Sequence, residues 1–184
     1  MRPRTRRWAG VGSGIAVLAA VGALALGELR PLVARYGVPG AAATPGVKSE
    51  FRGAVVAVRD GDTIVVRRRG RKVRVRVFGV DCPEHDQAFG AQATAFTRDH
   101  TAGRQVTIEV RDRDMYGRTV GEVILPDGEN LGTELIRAGL AWHYRHYSHS
   151  PALDALEAEA RAAHRGLWAD AHPVPPWDFR HAQH

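Results

Sequence analysis

The sequence predicts an α+β fold, a five-stranded β-barrel with three helices, preceded by an apolar helix at the N-terminus. Two features point there. Short β-rich runs follow one another between Asp-Gly and Arg-Gly turns, and in one of them valine alternates strictly with a basic residue. Helical stretches begin only after the third of these runs, and their ends carry recognisable stop signals. At 184 residues the chain holds one domain with a real core plus extensions. Apolar and charged fractions of 44% and 25% exclude wholesale disorder. The single cysteine, Cys82, excludes an internal disulfide and any multi-cysteine zinc site.

Arg2, Arg4, Arg6 and Arg7 precede an uncharged run from Trp8 to Gly27. Basic residues before an apolar run are the layout of an export signal, and Ala23-Leu24-Ala25 offers a cleavage site. Uncut, the run has about the 20 residues that span a bilayer, with the arginines left in the cytoplasm. Residues 1–27 are therefore a signal peptide or a membrane anchor. Residues 28–50, with Pro31, Pro39 and Pro45, read as a linker.

The folded domain is expected over 51–170. Ala54 to Val58 is a strand, Asp60-Gly61-Asp62 a turn, and Thr63 to Val66 a second strand. After Arg69-Gly70, Val73, Val75 and Val77 alternate with Lys72, Arg74 and Arg76, giving a strand with one buried face. Ala88 to about His100 reads as a helix with Phe89, Ala93 and Phe96 on one side. Gln105 to Val110 and Thr119 to Leu125 are further strands, and Leu131 to Ala138 a short helix ending at Gly139. Ser150-Pro151 caps a last helix that runs to Arg165 and stops at Gly166. Five short strands with helices this late in the order fit an oligonucleotide-binding (OB-fold) barrel. Residues 171–184, with Trp177, are expected to lie as a tail across the surface.

The sequence pI near 10.2 misleads about the folded part. Residues 1–50 hold seven Lys/Arg against two acids, which leaves 19 basic and 18 acidic residues, net +1, for 51–184. Local clusters must carry any case for a polyanionic partner.

Four segments bear chemistry: Asp60-Gly61-Asp62-Thr63, Arg76, Val80-Asp81-Cys82-Pro83-Glu84, and Asp114-Met115-Tyr116-Gly117-Arg118. In order and spacing, D-G-D-T, R-x-x-x-x-D-x-P-E and Y-G-R resemble the thermonuclease (staphylococcal nuclease-like) family, over about Phe51 to Trp168. That resemblance implies a Ca²⁺-dependent nuclease acting on DNA and RNA, preferring single strands and leaving 3′-phosphates. Hydrolysing a phosphodiester means bringing water to an anion and stabilising charge on its nonbridging oxygens. Asp62 and Asp81, at the ends of neighbouring strands, are suited to converge on a hard cation. The family implies Ca²⁺, with the Cys82 carbonyl as a further ligand. Glu84 resembles its candidate general base, and Arg76 and Arg118 its phosphate-binding arginines, for which a forked, permanently charged guanidinium is apt. Tyr116 and Tyr147 match positions that bind the terminal nucleotide. Met115 and Arg145 depart from the best-known member, which has a basic residue and a tyrosine there, and the loop after Glu84 is short.

Taken singly, Asp60 and Asp62 read as turn residues and Arg76 as part of a solvated face. The joint pattern reverses that reading. Arg67 to Lys72 form a basic hairpin tip, either a nucleic-acid contact or a solvated turn. His143, His146 and His149 lack a zinc pattern and read as surface or loop histidines, and Cys82 lacks the partners of a nucleophile. Trp142 and Tyr144 are equally apt for base stacking and for packing. The expectation is a monomer, secreted or anchored to the outer face of the cytoplasmic membrane. The rival is a catalytically inactive OB-fold nucleic-acid-binding module, which predicts losses among Asp62, Arg76, Asp81, Glu84 and Arg118; all five are present.

Overall fold

The structure, a computed structural model, describes residues 46–183. The expected apolar helix and leader within 1–27, and most of the 28–50 linker, lie outside the described residues. The strands in chain order are β1 (Ser49–Val58), β2 (Thr63–Arg68), β3 (Arg71–Val77), β4 (Val80–Asp81), β5 (Gln105–Arg113), β6 (Thr119–Ile124) and β7 (Trp142–His143). Five of them close into a barrel in the order β1-β2-β3-β6-β5, with β1 returning to β5, while β4 and β7 form a separate pair. This is the OB-type barrel the sequence predicts.

Strand alternation sets the register. Val66 faces Val73 and Arg68 faces Arg71 across the β2–β3 hairpin. Its two turn residues, Arg69 and Gly70, both take left-handed conformations (φ 47° and 79°), the twist-matched geometry of a two-residue hairpin. Val75 and Val77 point into the barrel and are buried with Ile64, Val66, Ile108 and Val123, which puts Arg74 and Arg76 on the outer face. The β3–β6 pair is parallel, with Val75 opposite Thr119 and Arg76 opposite Val120. β1 starts at Ser49, inside the expected linker, because Ser49 to Arg52 extend the β5 ladder.

The helices are α1 (Gly90–Thr101), α2 (Leu131–Arg137), α3 (Pro151–Ala162) and α4 (Pro176–Ala182), with a 3-10 turn over Gly166–Ala169. Among the described residues that is four helices where the sequence predicts three after the N-terminal one. α2 packs Leu131, Leu135 and Ile136 into the barrel core; its cap is Asn130, whose side chain accepts from Gly132 N at 2.8 Å and Thr133 N at 3.3 Å. α3 starts as expected, with the Ser150 side chain accepting from Leu153 N and Pro151 in its first turn. It ends earlier than expected, at Ala162, and His164 takes the left-handed position (φ 50°). Gly166 serves a different purpose from a helix stop: a Cβ there would sit 2.2 Å from the Gly139 carbonyl, so two backbones cross where no side chain fits. Phe89 precedes α1 rather than belonging to it. It packs with Trp142, Leu167, Trp168 and Trp177 in a second cluster, separate from the barrel core that takes Ala93 and Phe96.

Residues 171–184 do more than drape the surface. Pro176 is buried and Trp177 joins that aromatic cluster, so α4 is anchored to the domain. His143 is also fully buried, its ring bonded to Asp154 at 2.8 Å and Ser148 at 3.1 Å, which corrects the expectation of a surface or loop histidine.

Candidate active site

The loop between β1 and β2 is a tight turn in which Asp60 Oδ1 accepts from Asp62 N at 3.1 Å. Thr97 of α1 donates its hydroxyl to the Gly61 carbonyl. A Cβ on Gly61 would lie 2.8 Å from both Ala93 and Cys82, so only glycine lets α1 press this close. The turn aims the Asp62 carboxylate inward, where Oδ2 accepts from Cys82 N at 2.8 Å. Asp62 thus precedes β2, while Asp81 lies in β4 opposite Trp142 of β7. They are not at the ends of neighbouring strands, as the sequence suggested. The sharp corner between β3 and β4 and the Cys82–Asp62 bond bring them together instead.

Arg76 joins them. It stands opposite Thr63 in the β2–β3 ladder. Its guanidinium reaches Asp62 Oδ2 at 3.0 Å and Asp81 Oδ1 at 2.6 Å, and donates to the Val80 carbonyl at 2.8 Å. Both aspartates are buried, at 6% and 1% exposure, so Asp62 is more than a plain turn residue. Burial works against the charge on Arg76, but Asp62 and Asp81 outweigh it and hold the guanidinium protonated. Burial lifts the Asp81 carboxyl above its ordinary range against the pull of Arg76. Asp60 is pushed up to about 7, first by burial and then by the neighbouring Asp62 charge.

Among the described residues no group of three or more His, Cys, Asp or Glu side chains is arranged to hold a metal ion. Two buried carboxylates that already share one cationic partner do fit a hard cation, provided that main-chain oxygen, water or substrate completes the shell. The Cys82 side chain is buried, and burial together with Asp62 raises its thiol well above the usual range, so it is no nucleophile.

Glu84 lies on the open side, its side chain 37% exposed. It is held by Arg180 of α4, whose Nη1 approaches Glu84 Oε1 at 2.6 Å while Nη2 reaches Asp81 Oδ2 at 2.9 Å. The sequence reading missed Arg180. Its one sequence signal is a Pro175-Pro176 helix start with Trp177 three residues before the arginine, one helical turn away on the same face.

Arg118 is not gathered with the carboxylates. It pairs with Asp114, lies 5.5 Å over the Tyr116 ring, and belongs to a turn in which Asp114 Oδ1 accepts from Tyr116 N and Arg118 N. It directly precedes Thr119, which pairs with Val75 of β3, and Arg74 of β3 donates to the Tyr116 carbonyl at 3.1 Å, so the turn that carries Arg118 lies against β3. Tyr116 and Tyr147 are exposed, at 67% and 64%. Tyr147 meets Tyr144 edge-on at 5.2 Å, and Tyr144 stacks on Trp177 at 5.4 Å, so α4 links it to the site. Trp142 and Tyr144 spend their rings on packing with Trp168 and Trp177. Arg145 is structural, bridging Asp154 and Glu157.

A model of the staphylococcal nuclease homologue family matches residues 74–170, which hold Arg76, Asp81, Glu84 and Arg118. The chain belongs to this family. As a member it is a nuclease, a hydrolase of phosphodiester bonds. It is 44% identical over 137 residues to an uncharacterized endonuclease of Escherichia coli O157:H7, covering 74% of this chain and 90% of that protein. It is 37% identical over 144 residues to a micrococcal nuclease of Shigella flexneri, covering 73% and 83%. A protein named ParB of Escherichia coli is 39% identical over 142 residues, covering 72% and 80%.

Proposed function

We propose that this nuclease is exported and calcium-dependent, and that it cleaves DNA and RNA, preferring single strands, at the pocket between Asp62 and Asp81. One observation carries the proposal: two buried aspartates, one in the turn before β2 and one in β4, converge on a single cationic centre beside a half-buried glutamate. Asp62 and Asp81, with the Cys82 carbonyl, would hold Ca²⁺. Bound there, the ion would neutralise charge on the substrate phosphate and help to place the attacking water.

Glu84 takes a proton from that water, whose oxygen bonds to phosphorus as the bond to the 5′ oxygen breaks. The phosphate stays on the 3′ oxygen, and the departing 5′ oxygen takes a proton from solvent. Arg76 donates to the nonbridging oxygens where charge accumulates. Arg118 joins it by exchanging Asp114 for phosphate, a move supported by the contact of its turn with Arg74 of β3, the strand that carries Arg76. Tyr116 and Tyr147, both exposed, offer rings to the flanking nucleotide. Export rests on the basic-then-apolar leader within residues 1–27. Outside the cell, calcium suits a site with so few protein oxygens, since such weak sites fill at roughly 10⁻⁴–10⁻³ M.

Residues 44–184 form one compact unit and suit a direct assay. Incubated with denatured DNA and millimolar calcium, this fragment is expected to yield fragments ending in 3′-phosphate, and a chelator should stop the reaction. Cleavage that persists under chelator would rule out the metal role. No cleavage under any divalent ion would favour the inactive binding module.

A further inference from the structure

We infer that Arg180 is a third phosphate-binding arginine of this active site, delivered by the C-terminal helix. The inference rests on the proposed roles of Asp81 and Glu84. The family match ends at residue 170, so α4 lies beyond it. Arg180 crosses 96 positions of sequence to reach Glu84 and 99 to reach Asp81.

The helix that carries Arg180 is fixed in place. Trp177 stacks on Tyr144 and meets Trp142 edge-on at 5.6 Å. The Gln87 side chain donates to the Val174 carbonyl at 2.6 Å, and the Gln183 side chain reaches Asp86 at 3.3 Å. Phe179 helps to line a cavity of about 220 Å³ under the same segment, with Pro83, Phe89 and Trp142. A guanidinium presented from so many anchors is pre-organised, which is what transition-state binding asks of a donor.

Charge favours the same role. Asp62, Asp81 and Glu84 face the two guanidiniums of Arg76 and Arg180. With a divalent ion held by the two aspartates, Arg180 would supply positive charge beside it, where a phosphodiester anion is received. Once the metal has drawn on Asp81, the Arg180 fork still holds Glu84 and has donors free for a nonbridging oxygen. Its side chain is 40% exposed, against 14% for Arg76, so those donors face the side from which a strand arrives.

The test uses the full chain with Arg180→Ala and Arg180→Lys, each checked by thermal melting. Cleavage of denatured DNA is measured at saturating calcium, and calcium affinity is measured by calorimetry without DNA. Arg180→Ala is expected to lower kcat about 10²-fold, with calcium bound as tightly as before or tighter, because a competitor for Asp81 has gone. Arg180→Lys should recover part of the rate, since it keeps the charge and loses the fork. A rate equal to or above that of the parent would overturn the inference and mark Arg180 as a plug. So would a loss that extra calcium repairs. Affinity for thymidine 3′-phosphate, a product of the proposed cleavage, read by calorimetry with calcium present, needs no turnover. A drop of about tenfold or more in Arg180→Ala or Arg180→Lys supports the role, and unchanged affinity sinks it. A parent chain that never cleaves DNA would count against the proposed function, while this binding comparison would still judge Arg180.

Discussion

Arg76→Ala should lower kcat by about 10²–10³-fold and also destabilise the calcium-free protein by about 3–5 kcal/mol. The two losses have one origin. Arg76 is the shared partner of Asp62 and Asp81, whose side chains are only 8% and 2% exposed. Removing it leaves buried carboxylates with too little positive charge, the costly way to break a buried ion pair. Calcium should narrow the stability gap, because an ion bound to the native state stabilises it by mass action and takes over part of the charge balance. The kinetic loss should persist, since a metal at the carboxylates cannot also offer a fork to the phosphate. Urea unfolding in chelator and in calcium, together with steady-state kinetics, separates these effects. Equal stability of parent and variant in chelator would mean that the pair is not a structural element.

Gly90→Ala should lower kcat about 10²-fold, although Gly90 makes no contact with substrate in the proposed mechanism. Its missing Cβ would lie 1.8 Å from the Glu84 carbonyl oxygen. Two successive turns, Gln87 N to Glu84 O and Gly90 N to Gln87 O, fold the segment after Glu84 back over the bare Cα. Backbone cannot yield as a flexible side-chain tip can, so the Glu84 main chain must shift by more than about 1 Å, a misplacement that costs about two orders of magnitude when it moves a reacting group. A double-mutant cycle checks the route. In a Glu84→Gln background, Gly90→Ala should cost little more activity. A full further loss there would show that the substitution acts through something other than the glutamate.

The barrel was legible because its signals are local. Valines at every second position name the buried face of β3 and leave Arg76 outside, and Asp-Gly turns bound the neighbouring strands. The R-x-x-x-x-D-x-P-E spacing singled out Arg76, Asp81 and Glu84 within one short segment. Elements made only by tertiary contact stayed hidden. β4 and β7 are two residues each and exist because they pair with one another. α4 has seven residues, too few to be stable alone, and is held by Trp177 rather than by helix propensity. Arg180 was hidden with it. The α3 stop was misplaced because His164 adopts a conformation usually left to glycine, while the real glycine two residues on is needed for backbone clearance. The Arg118–Asp114 pair makes the same point: a motif names an arginine, but turn geometry decides its side-chain partner.

The most direct test of the metal site is a crystal grown with calcium, with the ion located by its anomalous scattering. One ion bound by both Asp62 and Asp81, with Arg76 and Glu84 beside it, is the expected result. An ion bound away from these two carboxylates, in crystals of a protein that cleaves DNA only when calcium is added, would contradict the site described here.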